Sequence, residues 1–424
     1  MRTKKKFWFT MLLIAAMSLL FLGACSGGKN SSDDEKGGSD KNGEETVSKI
    51  TIFQSKVEIS EQLEALAKEY EKETGVEVEV WGTTGDDYFQ QLQINLNSDQ
   101  GPSIFSLEGV VQAKKVQSYV YDLSNESFVQ HIAPNMALEL DGKVVGVPYG
   151  VEGFGIVYNK DLVNPEEIKD LETFEKVLKD LYDQGINPYG LSQEAYFLIG
   201  HMSNYPFSLQ DNHFDYIDKL TAGEVTMAET PEFQEFGKFM EVIRKYSLKN
   251  PLDVTYDEEI GDFATGKTAM IHQGNWAYGM FSDYDLDFEM GMMAFPLAGN
   301  DKLAVGVGNN WAVNGTKDEA EIKAAVDFLN WLFTSETGQR YIVEEFGFVP
   351  AMTNIEANDL DPLSKDVLDA SNSGNTIPWS HSYYPANFVV NDLTPAAQEF
   401  FLDDAITGEE FINMMDEAFQ NSIR

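Results

Sequence analysis

Between Lys49 and Leu107 the apolar residues switch repeatedly between two spacings, and this constrains the fold more than any other feature of the chain. "KITIF" (49–53) reads as a strand. Ser60 is then placed to cap a helix, with Leu63, Leu66, Ala67 and Tyr70 on the i, i+3, i+4, i+7 stripe and Gly75 as its stop. "VEVEVW" (76–81) alternates strictly, as a half-buried strand does. Tyr88, Phe89, Leu92 and Leu96 mark a second helix, and "GPSIFSL" (101–107) the next strand. Strands separated by helices predict the α/β class, with a mostly parallel sheet covered on both faces.

The pattern persists. Residues 173–185 form an amphipathic helix stopped by Gly185, and 317–333 another, using Ile322, Val326, Leu329 and Phe333. Thr407 and Glu410 form a capping box ahead of Phe411, Ile412, Met415 and Phe419. At 424 residues the chain exceeds one ordinary domain. No internal repeat and no flexible linker occur within 47–424, so two domains must be joined by ordered crossings.

The N-terminus is a separate matter. Arg2, Lys4, Lys5 and Lys6 precede an apolar run from Phe7 to Ala24, the layout of a signal peptide over 1–24. Leu22-Gly23-Ala24-Cys25 resembles the bacterial lipobox, in which the cysteine is acylated and becomes the new N-terminus. Cys25 is the single cysteine of the chain, so disulfides and Cys-based metal sites within one chain are excluded. Residues 26–46 lack any aromatic or aliphatic side chain beyond that cysteine and are expected to be a disordered tether reaching roughly 25 Å.

Charge narrows the partners. Thirty Lys and Arg stand against 70 Asp and Glu, a formal −40, so nucleic acid and anionic lipid head groups, which need a basic footprint, are not expected. Five histidines are scattered without HExxH or paired spacing. "DYDLDFEMGMMA" (283–294) starts like a calcium loop but lacks the glycine at position 6 and the glutamate at 12. "GVGNNW" (306–311) lacks the third glycine of a dinucleotide site, and neither GxSxG nor a P-loop is present. No metal or cofactor is expected.

What remains is a set of aromatic and acidic residues where strands give way to loops. In "GKTAMIHQGNWAYG" (266–279) a short buried strand over Thr268 to Ile271 breaks at Gly274 and at once presents Trp276 and Tyr278. Glu108 in "SLEG", Tyr149 and Glu152 in "VPYGVEGFG", Glu194 and Tyr196 in "LSQEAYF", and Trp379, Tyr383 and Tyr384 in "IPWSHSYYPANF" are placed alike. Ligands of α/β proteins bind at strand ends. A pyranose has an apolar face for aromatic rings and a rim of hydroxyls for carboxylates. For any one residue, ordinary packing is the better reading; the coincidence favours a site.

"VEGFGIVYNKDLV" (151–163), "GKTAMIHQGNWAYG" and "EAEIKAAVDFLNWLFTSETGQRYIVEEFGFVPA" (319–351) together resemble the extracellular sugar-binding proteins of ABC importers, the maltose-binding-protein type, over roughly 49–424. The resemblance implies a two-lobe periplasmic-binding-protein-like fold (class II) without catalysis, each lobe a mainly parallel sheet flanked by helices. It implies three crossings, near 150–155, 303–307 and 347–352, dividing the chain into 47–152 with 306–348 and 155–303 with 352–424. By the same resemblance the ligand contacts are Lys56, Glu108, Glu152, Glu194, Tyr196, Trp276, Trp379, Tyr383 and Tyr384. Asn310 and Trp311, which "GVGNNW" adds, are expected as further ligand contacts; with Phe105 in place of a tryptophan they bear on which sugar is bound.

The expected function is therefore a monomeric, substrate-binding lipoprotein. Anchored through Cys25 to the outer face of the bacterial cytoplasmic membrane, it would pass an oligosaccharide to an ABC permease. The alternatives are a surface glycoside hydrolase with two carboxylates about 5–10 Å apart, and a binding protein for a cationic small molecule such as a polyamine.

Overall fold

The computed structural model describes residues 47–423 apart from 83–86, 99, 135, 359 and 386, so Cys25, the signal peptide and the tether lie outside the described residues. Its strands in chain order are β1 Lys49–Gln54, β2 Glu77–Gly82, β3 Ile104–Leu107, β4 Leu138–Leu140, β5 Lys143–Pro148, β6 Glu152–Asn159, β7 Asn187–Gly190, β8 Thr268–Gly274, β9 Met290–Met293, β10 Leu303–Gly306, β11 Asn310–Val313 and β12 Thr376–Ile377. They form two sheets, β2-β1-β3-β11-β5-β4 and β12-β10-β6-β8-β7, with β9 also paired to β6.

Side-chain alternation builds the first lobe. Ile50 and Ile52 of β1 point to one face, where Leu63, Leu66 and Tyr70 of the helix Ser60–Thr74 and Phe328 and Leu332 of Glu319–Thr334 cover them. Phe53 points to the other, into a cluster with Phe89, Leu92 and Leu96 of the helix Tyr88–Asn97. The second lobe is closed over at its centre: every residue of β6 and β8 is buried, as strands covered on both faces must be, with Glu152, Thr268, His272 and Gln273 among them. Helices Leu171–Asp183, Pro231–Tyr246 and Gly408–Ser422 contribute Phe174, Phe236 and Phe411 to its core.

Local signals mostly act as the sequence predicts. Gly75 closes the first helix at φ +78°, a conformation costly for other residues, and Thr407 with Glu410 forms a reciprocal capping box. Ser60 does not cap. A 3₁₀ turn, Val57–Ile59, leads into the helix, and the Ser60 hydroxyl instead donates to the Lys56 carbonyl at 3.3 Å.

Both sheets are mixed rather than mainly parallel. β1 pairs in parallel with β2 and β3, but β11 runs antiparallel between β3 and β5. β6 is antiparallel to β8, β9 and β10. The cause is the path of the chain. It leaves the first sheet after β5, enters the second at β6, and returns from β10 to β11, so the strands beside each passage run against their neighbours. The expected third passage near 347–352 is not sharp: Val349 bridges Val151 in the second core, while Met352 and Ile355 return to the first.

Candidate functional site

The loops that follow these strands converge. Lys56 lies just beyond β1, Glu108 beyond β3, Glu194 and Tyr196 beyond β7, Trp276 beyond β8 and Trp379 beyond β12. Where the lobes meet there is a cavity of about 220 Å³. Glu58, Tyr88, Glu108 and Gln112 line it from the first lobe, and Glu194, Tyr196, Phe197, Tyr256, His381 and Tyr384 from the second. Its walls are joined: Glu108 Oε2 accepts from Gln112 Nε2 at 2.8 Å and from Tyr196 Oη at 3.3 Å, and Tyr256 Oη donates to Glu58 Oε1 at 3.4 Å. Glu194 accepts from the backbone N–H of Tyr256 at 3.3 Å through one oxygen, and its other oxygen is buried without a hydrogen-bond partner among the described residues.

Beneath the cavity lies an ion pair. Lys56 Nζ is 2.8 Å from Glu152 Oε1, with Lys56 only 9% and Glu152 2% exposed. Dehydration pulls Lys56 toward a lower pKa, but Glu152 and Glu58 outweigh it and hold the ammonium above its ordinary value. Dehydration likewise pushes the Glu152 carboxyl up against the pull of Lys56. At 2.8 Å, with Glu58 and Glu108 also acting on the ammonium, the direction of Lys56 prevails and the pair is charged. The same ammonium sits 5.5 Å from the Trp276 ring centre and 5.8 Å from that of Phe348, within cation–π reach of both.

Trp276 is held from behind. Its Nε1 donates to Gln273 Oε1 at 3.0 Å, and Gln273 Nε2 donates to Glu259 Oε2 at 3.1 Å. Burial pushes the Glu259 carboxyl well above its ordinary range. The indole is 6% exposed and packs on Phe154, Phe197, His201 and Trp379. It thus lies under the lobe boundary, facing Lys56 of the first lobe, with Phe197 between it and the cavity. Trp379 is equally deep at 8% exposed, pressed on the passage from β10 to β11: a Cβ on Gly306 would come within 2.7 Å of its ring.

Asn310 and Trp311 are placed elsewhere. Alternation along β11 turns Trp311 toward the helix-covered face of the first sheet, where it is 2% exposed and stacks on Tyr149 at 3.7 Å. Asn310 Nδ2 donates to the Leu107 carbonyl across the sheet at 3.1 Å. Both are framework residues here, not cavity walls. Tyr384 lines the cavity and donates to the Ser203 carbonyl at 3.3 Å, while Tyr383 is 45% exposed and does not line it.

Nothing in residue spacing shows that three of the histidines meet. His201 stacks on Phe154 at 4.6 Å, with His272 5.4 Å and His381 5.7 Å away, ring centre to ring centre. Burial lowers all three: His272 and His381 to about 3, and His201 well below the ordinary value, with the other two and Lys56 adding to it. All are neutral at pH 7. Glu58, Phe197 and Tyr256 were missed as well: Glu58 and Phe197 follow the same strands as Lys56 and Tyr196, one residue or two farther on, and Tyr256 opens a helix. Among the described residues no group of His, Cys, Asp and Glu could hold a metal ion, and no helix is long and apolar enough to cross a membrane.

Comparison with known proteins bears on this arrangement. The multiple sugar-binding protein of Streptococcus mutans serotype c is 24% identical over 358 residues, covering 78% of this chain and 79% of that one. The maltooligosaccharide ABC transporter solute-binding lipoprotein of Streptococcus pneumoniae R6 is 24% identical over 334 residues, 74% of each. Among solved structures, the solute-binding protein RafE in complex with raffinose superposes with a TM-score of 0.76 at 20% identity, over 89% of this chain and all of that one. That similarity establishes the two-lobe α/β fold. The sequence profile of bacterial extracellular solute-binding proteins matches residues 65–368, most of the chain. These relatives bind rather than transform their solutes, so the hydrolase alternative falls away, and the chain belongs to the bacterial extracellular solute-binding proteins.

Proposed function

We propose that this chain is the substrate-binding lipoprotein of an ABC importer and captures an oligosaccharide between its lobes. The observation that carries the reading is the cavity itself, where carboxylates and aromatic rings from both lobes meet at strand ends. Relatives named for multiple sugars and maltooligosaccharides support the ligand class. The lobe built on 47–152 with 306–348 rotates against the one built on 155–303 with the chain beyond Pro362, about the three crossings. Opening breaks the Glu108–Tyr196 and Glu58–Tyr256 hydrogen bonds, and sugar hydroxyls take their place. Glu108, Glu194, Tyr196 and Tyr384 touch the sugar, while Lys56, Glu152, Trp276 and Trp379 form the floor that fixes the closed geometry. Ligand shifts the balance through contacts made better in the closed state. Acylated Cys25 and the tether hold the monomer on the outer membrane face, and the closed form docks on the permease.

A thermal-shift series with maltose, maltotriose, raffinose and stachyose tests this. A sugar at a hundred times its Kd stabilises by about 2.7 kcal/mol, which raises Tm by about 5–11 °C in lobes of this size. No shift with any of them overturns the reading. The lining residues include three glutamates and neither Lys nor Arg, which also suits a cationic ligand. Such a ligand would lose affinity steeply with salt, whereas a neutral sugar would not.

A further inference from the structure

We propose that Asn275 and Ser364 are positioning residues for lobe closure: they form a buried pin about which the first lobe turns, and they touch no sugar. The inference rests on the lobe rotation proposed above and names the residues that guide it. Asn275 follows β8 and is 1% exposed, and Ser364, in the second-lobe helix Pro362–Ser373, is fully buried. Asn275 Oδ1 accepts from the Gly153 N–H at 2.9 Å, where the first passage enters the second lobe, and its Nδ2 donates to Ser364 Oγ at 3.1 Å. Ser364 Oγ donates in turn to the carbonyl of Gly347, which stands between Phe346 and Phe348 of the first core. One chain of hydrogen bonds thus runs from the first passage to the third.

Two observations make this chain a pivot. The first is its burial. The bonds across the cavity, Glu108–Tyr196 and Glu58–Tyr256, are exchanged for water or sugar as the lobes part. Breaking Ser364–Gly347 would instead leave a buried hydroxyl without an acceptor, at the full cost of its dehydration. It therefore stays made in open and closed forms alike, which a bond between lobes can do only near the rotation axis. The second is that the passages are tied together beside it. The Tyr149 N–H donates to the Asn309 carbonyl at 2.9 Å and the Val151 N–H to the Val349 carbonyl at 2.7 Å, so the first passage holds the second and the third. Gly150, between these two donors, packs so closely that a Cβ there would fall 2.6 Å from that of Phe348. The pin also underlies the cavity floor: Lys56 Nζ lies over the rings of Trp276 and Phe348, the chain neighbours of Asn275 and Gly347. It thereby sets where Lys56 comes to rest when the lobes close. By confining opening to one rotation, it spares closure the freedom that an unguided lobe would have to lose.

Cross-linking and calorimetry provide the test. A Cβ on Gly109 would be 3.4 Å from that of Ser382 across the lobe boundary, close to the separation in a disulfide. Gly109→Cys with Ser382→Cys, in a Cys25→Ser background, therefore reports closing without any sugar. Adding Asn275→Ala or Ser364→Ala should slow formation of that disulfide by about three- to tenfold. With Gly109 and Ser382 restored, the same variants should weaken, by a similar factor, binding of whichever of maltose, maltotriose, raffinose and stachyose the wild type takes up. Phe411→Leu, a truncation in the helix Gly408–Ser422, lowers the melting temperature and should change neither reading. Ser364→Ala removes a single oxygen and decides the matter if Asn275→Ala fails to fold. Cross-linking as fast in Ser364→Ala as in its parent, or slowed as much by Phe411→Leu, overturns the pin and leaves the carbohydrate reading standing. If wild type binds none of the four sugars, the carbohydrate reading falls, and the cross-linking rates still decide the pin.

Discussion

Removing the cation from the Lys56–Glu152 pair should cost stability in a way that depends steeply on pH. Lys56→Met keeps most of the side-chain volume and leaves Glu152 at 2% exposure without the cation that acts on it. Water cannot readily replace the ammonium, since the methionine fills the lysine's place beside Oε1 and Gly308 crowds the other oxygen, where an added Cβ would lie 2.3 Å from Oε2. The carboxylate will instead take up a proton. Neutralising a group whose unfolded pKa is about 4.3 costs about 3.7 kcal/mol at pH 7 and about 1 kcal/mol at pH 5. The sign follows from a folded pKa raised above the unfolded one: the penalty is absent below about pH 4 and grows as pH rises. Urea unfolding of wild type and variant at pH 5, 6 and 7 measures it. Glu152→Gln leaves the ammonium unpaired, and its loss should not shrink on acidification, because lysine is charged throughout this range. Equal losses for Lys56→Met at pH 5 and pH 7 would refute the buried-pair argument, showing that the lobes open to hydrate the carboxylate.

The histidine cluster makes a further pH prediction. Because His272 stays neutral in the fold to about pH 3, while an unfolded histidine takes a proton near 6.5, each such residue loses stability as pH falls through that window. The drop between pH 7 and pH 5 should be smaller by about 2 kcal/mol in His272→Phe than in wild type, read from the same unfolding curves. Trp276→Ala removes a ring packed on four others and should lower unfolding free energy by about 3–5 kcal/mol; a loss under 1 kcal/mol would mean that the indole is not buried as described. In Gly274→Ala the new Cβ would fall 2.3–2.5 Å from three atoms of that indole, so the ring must move and give up its bond to Gln273. A melting temperature unchanged from wild type would contradict this geometry.

Much of this protein was legible in one dimension. Period-two and helical spacings identified β1, β2 and the first two helices, and Gly75 and Thr407 fixed helix ends, because these depend on a residue and its neighbours within a turn or two. Strand ends in a βαβ chain fall on one side of a sheet, which is why Glu108, Glu194 and Tyr196, singled out by their place at strand ends, line one cavity. Periodicity could not give strand direction, since the reversals at β6 and β11 come from the route between lobes and leave no mark on side-chain spacing. Nor could it tell Trp276 from Trp311, two tryptophans at similar junctions; one faces Lys56 across the boundary and the other stacks on Tyr149 inside a lobe, according to which face each strand buries. The meeting of His201, His272 and His381, and the pairing of Lys56 with Glu152, joins residues about 70 to 180 positions apart. The histidines meet only once the second core has formed, and the ion pair only when the two lobes are pressed together, because burial and charge are properties of the assembled interior and not of any segment that enters it.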